Sequence, residues 1–431
     1  MINVLRHSWA LLLGMFLLMI GNGLQGSLIG VRGDIEGFDP AVLSYVISAY
    51  FAGFLGGSWL APALIRNVGH VRVFAAMASL ISAAFILYAA VPNLLVWGLL
   101  RLLVGFCYSS VYVVAESWLN DASDNTTRGK SLSVYMVVQM FGIVTAQGLL
   151  NFGDPAGYEL FVAISVLVSI SFTPILLSAS PAPIVEHTAP MTLRRLFQSS
   201  PLGFVGSLLI GAVYSALFGM SAVFGTVHHL TVAQIAAFVA AIYVGGLFFQ
   251  GPIGWISDRV DRRRLIIIVS AVACVACVVG MSAAHSTVTL YIVAFMIGGM
   301  ANPLYALLIA HTNDFLERKD MPSASSGLVF IGGVGAIGGP LIVGQLMQFF
   351  GGWAYFAYIL ACMGAIVVYG VYRMTRRAAP SVEETGPFAV ISPAVGTVAA
   401  EIAQEHAIEQ MPEEPTDADS SEELAEAAPN A

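Results

Sequence analysis

The chain has 431 residues, 58% of them hydrophobic and only 10% charged, with a formal net charge of −8. Soluble domains carry roughly 25% charged residues, so this composition excludes a water-soluble globular domain. The apolar runs are continuous rather than alternating, which excludes a membrane β-barrel.

The charge is unevenly placed. Residues 1–379 hold 18 basic and 14 acidic side chains, a net of +4, whereas residues 380–431 hold 12 acids and no base, a net of −12. A mildly basic embedded body therefore precedes a strongly acidic tail.

Apolar windows long enough to cross a ~30 Å hydrocarbon core as helices recur along the chain. Twelve spans are predicted, over residues 8–30, 41–65, 73–91, 94–117, 131–152, 158–178, 201–222, 232–256, 265–284, 288–311, 323–349 and 354–373. The first lacks an A-x-A cleavage site and carries Asn22 and Gln25, so it reads as an uncleaved span and not a signal peptide. The longest internal connection, residues 179–200, contains Pro181, Pro183 and Pro190 and reads as a linker. It divides the chain into a six-helix bundle over 1–178 and another over 201–377. The tail, 378–431, is rich in Pro, Glu, Ala and Ser and is expected to be disordered and solvated, with a short helix possible near residues 395–410.

Sixteen of the 18 Lys and Arg fall at the N-terminus, in alternate loops or in the chain following the twelfth span. The exceptions are Arg32, on the opposite side, and Arg101, within the fourth span. By the positive-inside rule both termini are cytoplasmic. The two halves also resemble each other at a shift of about 192–194 residues, as two parallel repeats would. Gly69–Arg72 corresponds to Asp261–Arg264, and Val104 and Gly105 correspond to Gly298 and Gly299. The fold class expected is an all-α polytopic membrane protein of twelve transmembrane helices, two six-helix bundles related by pseudo-two-fold symmetry.

The densest charge lies between the eighth and ninth spans, where six charges occupy the seven residues Asp258–Arg264. This loop resembles the signature of the major facilitator superfamily of secondary transporters: a Gly, three residues, Asp-Arg, one residue, Gly, then two basic residues. Gly254, Asp258, Arg259, Arg262 and Arg263 match, and Asp261 stands where Gly is usual. The equivalent first-half loop is degenerate, with Arg66 in place of the acid. The fourth span is similar to that family's R-x-x-x-G element at Arg101–Gly105, and the fifth span lacks the Gly-Pro of its drug/proton antiporters. The resemblance implies a transporter working by alternating access, lined by its first, fourth, seventh and tenth spans.

The substrate-cavity candidates are then Asn22, Gln25, Arg101, Tyr112, Tyr214 and Asn302. Ionisable groups in a span cost on the order of 2.5–3.5 kcal/mol, so Arg101, Glu116 and His311 are the candidates for proton or ion coupling. Arg101 and Glu116 share a stripe of the fourth span but stand roughly 22 Å apart along it, too far to pair. Each has a plainer reading: Arg101 as a snorkelling or loop-binding residue, Glu116 as an interfacial acid paired with loop arginines. Gly254, Asp258, Arg259, Arg262, Arg263 and Arg128 form a candidate latch at the cytoplasmic face.

Other motifs carry no chemistry. Gly333, Gly335 and Gly338 spell G-x-G-x-x-G without a preceding strand. Cys274 and Cys277 form a C-x-x-C inside a lipid-embedded helix, and His228 and His229 lack further ligands for a metal. No metal, cofactor, nucleic acid or catalytic residue is expected. The partners expected are a small-molecule substrate, a coupling proton or ion and the bilayer, with the protein a monomer in a bacterial inner membrane. Alternatives are a drug or metabolite efflux antiporter, and a receptor that keeps the fold without transport.

Overall fold

The computed structural model describes residues 2–121, 123, 128–176, 191–282, 286–376, 386, 388, 391 and 397–409. Among these, twelve helices are long and apolar enough to cross a membrane. In chain order they are Ser8–Ile35, Pro40–Val68, His70–Ala90, Leu94–Asn120, Gly129–Leu149 and Glu159–Leu176, then Pro201–Val227, Val232–Ser257, Arg262–Ser282, Thr287–Asn313, Arg318–Phe350 and Trp353–Met374. Most run a few residues past the apolar windows, because a helix satisfies its own backbone through the interfacial region as well as in the hydrocarbon. The linker's described portion forms a short helix, Leu193–Ser199.

The halves repeat each other in their close contacts. A Cβ at Gly53 would enter the Leu102 carbonyl and one at Gly105 the Tyr50 carbonyl. In the second half, Gly245 meets the Phe295 carbonyl and Gly298 the Ile242 carbonyl in the same way. Gly142 lies on the backbone of Phe16 and Ile20 as Gly335 lies on that of Leu208 and Ala212. Only a residue without a Cβ lets two helices approach so closely. These pairs set the register between the halves at 192 residues for the first and second spans and 193 for the fourth and fifth, so Gly105 corresponds to Gly298 and not to Gly299 as expected from the sequence.

One face carries the basic loops. At the opposite face the halves pack directly. A Cβ at Gly30 would come 2.8 Å from that of Ala222, Gly344 abuts Ser44, and Ser48 Oγ donates to the Ile337 carbonyl at 2.5 Å. The lone Arg of that face, Arg32, pairs with Glu36 at 2.6 Å and donates to the carbonyls of residues 155–157, tying the first connection to the loop before the sixth span.

At the basic face the structure departs from a wholly solvated tail. Thr397–Glu409 is a helix lying against the fourth, fifth and eleventh spans. Ala399, Ala400, Ile402, Ala403 and Ala407 are buried, as is Ile391 before it. Composition predicts disorder for an isolated acidic segment, but these apolar residues recur at i, i+3, i+4 and i+8, a stripe that a second surface can bury. The rest of the expected disordered tail, and most of the linker, lie outside the described residues.

Candidate functional site

A cavity of about 140 Å³ lies between the bundles. Its first-half wall sets a hydrogen-bonded polar chain beside the rings of Phe51 and Phe54. Arg101 Nη1 donates to Gln25 Oε1 at 2.8 Å, Gln25 Nε2 to Asn22 Oδ1 at 2.8 Å, and Asn22 Nδ2 to the Tyr112 hydroxyl at 3.2 Å. The Tyr50 hydroxyl donates to the same Asn22 oxygen at 3.2 Å, and its ring lies 5.3 Å from the guanidinium carbon of Arg101. Helical spacing makes this chain possible. Asn22 and Gln25 lie one turn apart, on the face turned toward Arg101 and Tyr112.

Arg101 is only 3% exposed, and its Nε is buried without a hydrogen-bond partner. No carboxylate is paired with it among the described residues. A buried guanidinium that lines a cavity and lacks a carboxylate partner among the described residues is suited to binding an anion. It offers a planar fork and a charge that little water screens.

The second-half wall is aromatic. Tyr214, Phe218, Tyr243 and Tyr305 line it. Tyr214 and Phe218 have ring centroids 3.9 Å apart, and Phe218 and Tyr243 are 4.4 Å apart. The turn that presents Phe218 is a π-helical segment, Ala216–Met220, inside the seventh span. Such insertions recur at functional sites because they re-aim side chains.

Five of the six cavity candidates, Asn22, Gln25, Arg101, Tyr112 and Tyr214, therefore line one space. Asn302 does not. It donates to Gln250 Oε1 at 3.0 Å and packs on Gly246, joining the eighth and tenth spans. The tenth span turns Tyr305 to the cavity, and three residues along a helix rotate Asn302 about 60° away. Tyr50, Phe51, Phe54, Phe218, Tyr243 and Tyr305 escaped the sequence reading. Tyr305 was findable, since it stands 193 residues after Tyr112, the offset of the fourth and tenth spans.

Two coupling candidates lie outside the cavity. His311 is buried near the basic face, its ring 5.1 Å from Phe315, in a small pocket with Ser200, Arg263 and Arg373. Glu116 is fully buried and accepts the Ala399 N–H at 3.0 Å, a carboxylate capping the first turn of the tail helix;.

The latch residues engage the second half and the tail. Arg262, 3% exposed, pairs with Asp314, donates to the Gly386 carbonyl and to Ser257 Oγ at 3.2 Å, and lies 3.5 Å from Asp258. Asp258 Oδ1 accepts the Phe388 N–H at 2.8 Å, and Gly254 has no Cβ to block the Phe388 ring. Burial pushes Asp314 up to about 6, although Arg262 beside it pulls the other way. Arg263 pairs with Asp261 at 3.2 Å, and Arg259 stacks on Trp255 at 4.0 Å. The side chain of Arg128 lies outside the described residues. Asp314 was missed because the family signature stops at the loop.

Twelve spans in two repeated bundles around a central cavity define a polytopic membrane transporter. The pattern of the Major Facilitator Superfamily matches residues 11–249 and 228–403, and the chain belongs to that family. It is 25% identical over 346 residues, 78% of this chain and 88% of the relative, to an uncharacterized MFS-type transporter of Yersinia enterocolitica. It is 24% identical over 348 residues, 80% and 90%, to the uncharacterized MFS-type transporter YcaD of Escherichia coli. Among solved structures it superposes on the nucleoside transporter NupG with a TM-score of 0.69 at 15% identity, covering 85% of this chain and 98% of that one. A bacterial homolog of the human lysosomal transporter Spinster, in an inward-facing and unoccupied conformation, gives 0.67 at 13% identity, covering 95% and 98%.

Proposed function

We propose that the chain is a secondary transporter of a small organic anion with an aromatic or apolar body, working by alternating access of the bundles 1–178 and 201–377 about the central cavity. The observation that carries this reading is Arg101: a buried guanidinium without a carboxylate partner among the described residues, facing a wall of Tyr214, Phe218, Tyr243 and Tyr305. A carboxylate would pair with the Arg101 guanidinium, and a ring would stack on the opposite wall. The excess of Lys and Arg in the basic loops supports a cytoplasmic position for that face in an inner membrane, with both termini inside.

Coupling follows from the same inventory. The cavity-lining residues include no carboxylate and no imidazole among the described residues. A coupled proton then travels on the solute's own carboxyl group, and movement of the anion with one proton is electroneutral. Proteoliposomes loaded with radiolabelled benzoate, with benzamide as the uncharged control, test the reading. Benzoate flux driven by a pH gradient and lost in Arg101→Ala is expected. Equal flux of benzamide, or benzoate flux indifferent to Arg101→Ala, would overturn it.

A further inference from the structure

The opposite face of the molecule is closed by direct contact between the halves, at Gly30 with Ala222 and at Gly344 with Ser44. The basic face is spanned by a piece of the tail. Thr397–Glu409 is hydrogen-bonded to both halves at once. Its first turn is capped by Glu116 of the fourth span; Glu401 Oε1 accepts from Ser326 Oγ of the eleventh at 2.5 Å; and Gln404 accepts from Asn313 at the end of the tenth. Near its far end, His406 rests on Gly129 at the start of the fifth span, where a Cβ would collide with the imidazole. Glu401 is 8% exposed and Gln404 4%. Burying a polar side chain to that degree is costly unless it is hydrogen-bonded, as both of these are;.

The helix face is made of small residues, Ala399, Ala400, Ala403 and Ala407, which lets it sit deep between larger helices;. The segment leading to it is held as well, by the Asp258 and Arg262 contacts to Phe388 and Gly386. The charges read as a latch between the halves thus hold the strap of the tail. A bundle pair that rocks must close at the basic face when it opens at the other. A helix seated between the halves there stands in the way of that closure.

We propose that the helix Thr397–Glu409 is an autoinhibitory stopper, seated between the two bundles at the basic face, which has to leave its seat for the cavity to empty and for that face to close. The proposal rests on the transporter reading for its purpose, but its seat is measured without flux.

The test uses the full chain in lipid nanodiscs. All four native cysteines are replaced by alanine, and a reporter Ser58→Cys is introduced, Ser58 being one of the residues that line the cavity. The rate of labelling by a membrane-impermeant maleimide reports access. Truncation after Arg376 is expected to raise that rate at least about tenfold, as release of a seat that keeps the open form to a tenth or less would. Gly129→Val, which crowds out His406, and Glu401→Arg, which buries a charge against Ser326, are expected to do the same in the full-length chain and cover a truncation that does not fold. Labelling rates equal to the unaltered chain in these variants would overturn the stopper. Raised labelling with no benzoate flux in any variant would instead remove the transport reading and leave the seat standing. Flux that persists with unchanged labelling removes the stopper alone.

Discussion

The two halves share a backbone plan and differ in what they put on it. At the first-half position Asn22 the second half has Tyr214, 192 residues on, and at Arg101 it has Ala294, 193 residues on. Tyr112 and Tyr305 stay matched. The glycine contacts that set these offsets are the same in both halves, so geometry alone does not explain the difference. Both walls of the cavity carry aromatic rings, Tyr50, Phe51, Phe54 and Tyr112 on one side and Tyr214, Phe218, Tyr243 and Tyr305 on the other, but only the first-half wall carries a charge, at Arg101, which suits a solute with a charged head and an apolar body. The halves diverge at the basic face too. Glu116 of the first half caps the tail helix, and Ile309 stands at the equivalent position of the second. The second half holds the strap through Asp258 and Arg262.

Removing the first half's charge is expected to have the largest effect. Arg101→Ala should weaken binding of an aromatic carboxylate about a hundredfold, ~2.7 kcal/mol, by isothermal titration of the purified protein, and should leave binding of the amide analogue nearly unchanged. Equal losses for both would mean that Arg101 supports the cavity structurally.

An effect of about tenfold is expected from pH. Burial pushes Glu401 up to about 7, assisted by Glu405 and opposed by the Ser326 hydroxyl. A carboxyl raised on docking stabilises the docked state fully below its ordinary range, and that stabilisation is lost as pH rises through the docked value. Cavity labelling should therefore rise about tenfold between roughly pH 6 and pH 8, the limit for one such group. Charged or titratable groups also lie on the surrounding elements: Glu116, Lys130, Arg318, Lys319, Asp320, His311, and His406 and Glu409 of the same helix. Glu401→Gln is expected to flatten the profile; a slope that survives it belongs to one of those groups.

The symmetric packing predicts matched losses. Gly142→Ala and Gly335→Ala each force a Cβ onto a facing backbone, and each should destabilise by about 1–3 kcal/mol, read as comparable drops in thermal midpoint. A loss at one site alone would break the repeat description. The smallest effect is expected at Asn302, because it faces Gln250 and not the cavity. Asn302→Ala should change carboxylate affinity less than about threefold, whereas Asn22→Ala, which breaks the hydrogen-bond chain behind Arg101, should exceed that.

Span number and repeat spacing were legible in the sequence because lipid imposes a length and a polarity on every crossing, and a charge cluster such as Asp258–Arg264 has to lie outside it. Arg101 stood out for the same reason, since an ionisable group is costly in a span, whereas Asn22 and Gln25 were distinguished from amides in other spans, such as Gln147, only through the family resemblance, which lines the cavity with the first and fourth spans. Tertiary structure decided what periodicity does not encode. Aromatic residues are common in lipid-facing and cavity-facing positions alike, so Phe218 and Tyr243 became cavity residues only when the helices were placed, with a π-turn re-aiming one of them. Asn302 and Arg101 are both polar groups in spans, and rotation of the tenth helix sends one to a neighbouring helix while the other keeps the cavity. The tail gives the clearest division. Its composition reads as a chain that cannot bury enough to order itself, which holds for the segment alone. Its alanine stripe becomes buried surface only because two bundles leave a seat at the basic face, and no local pattern in the sequence specifies that seat.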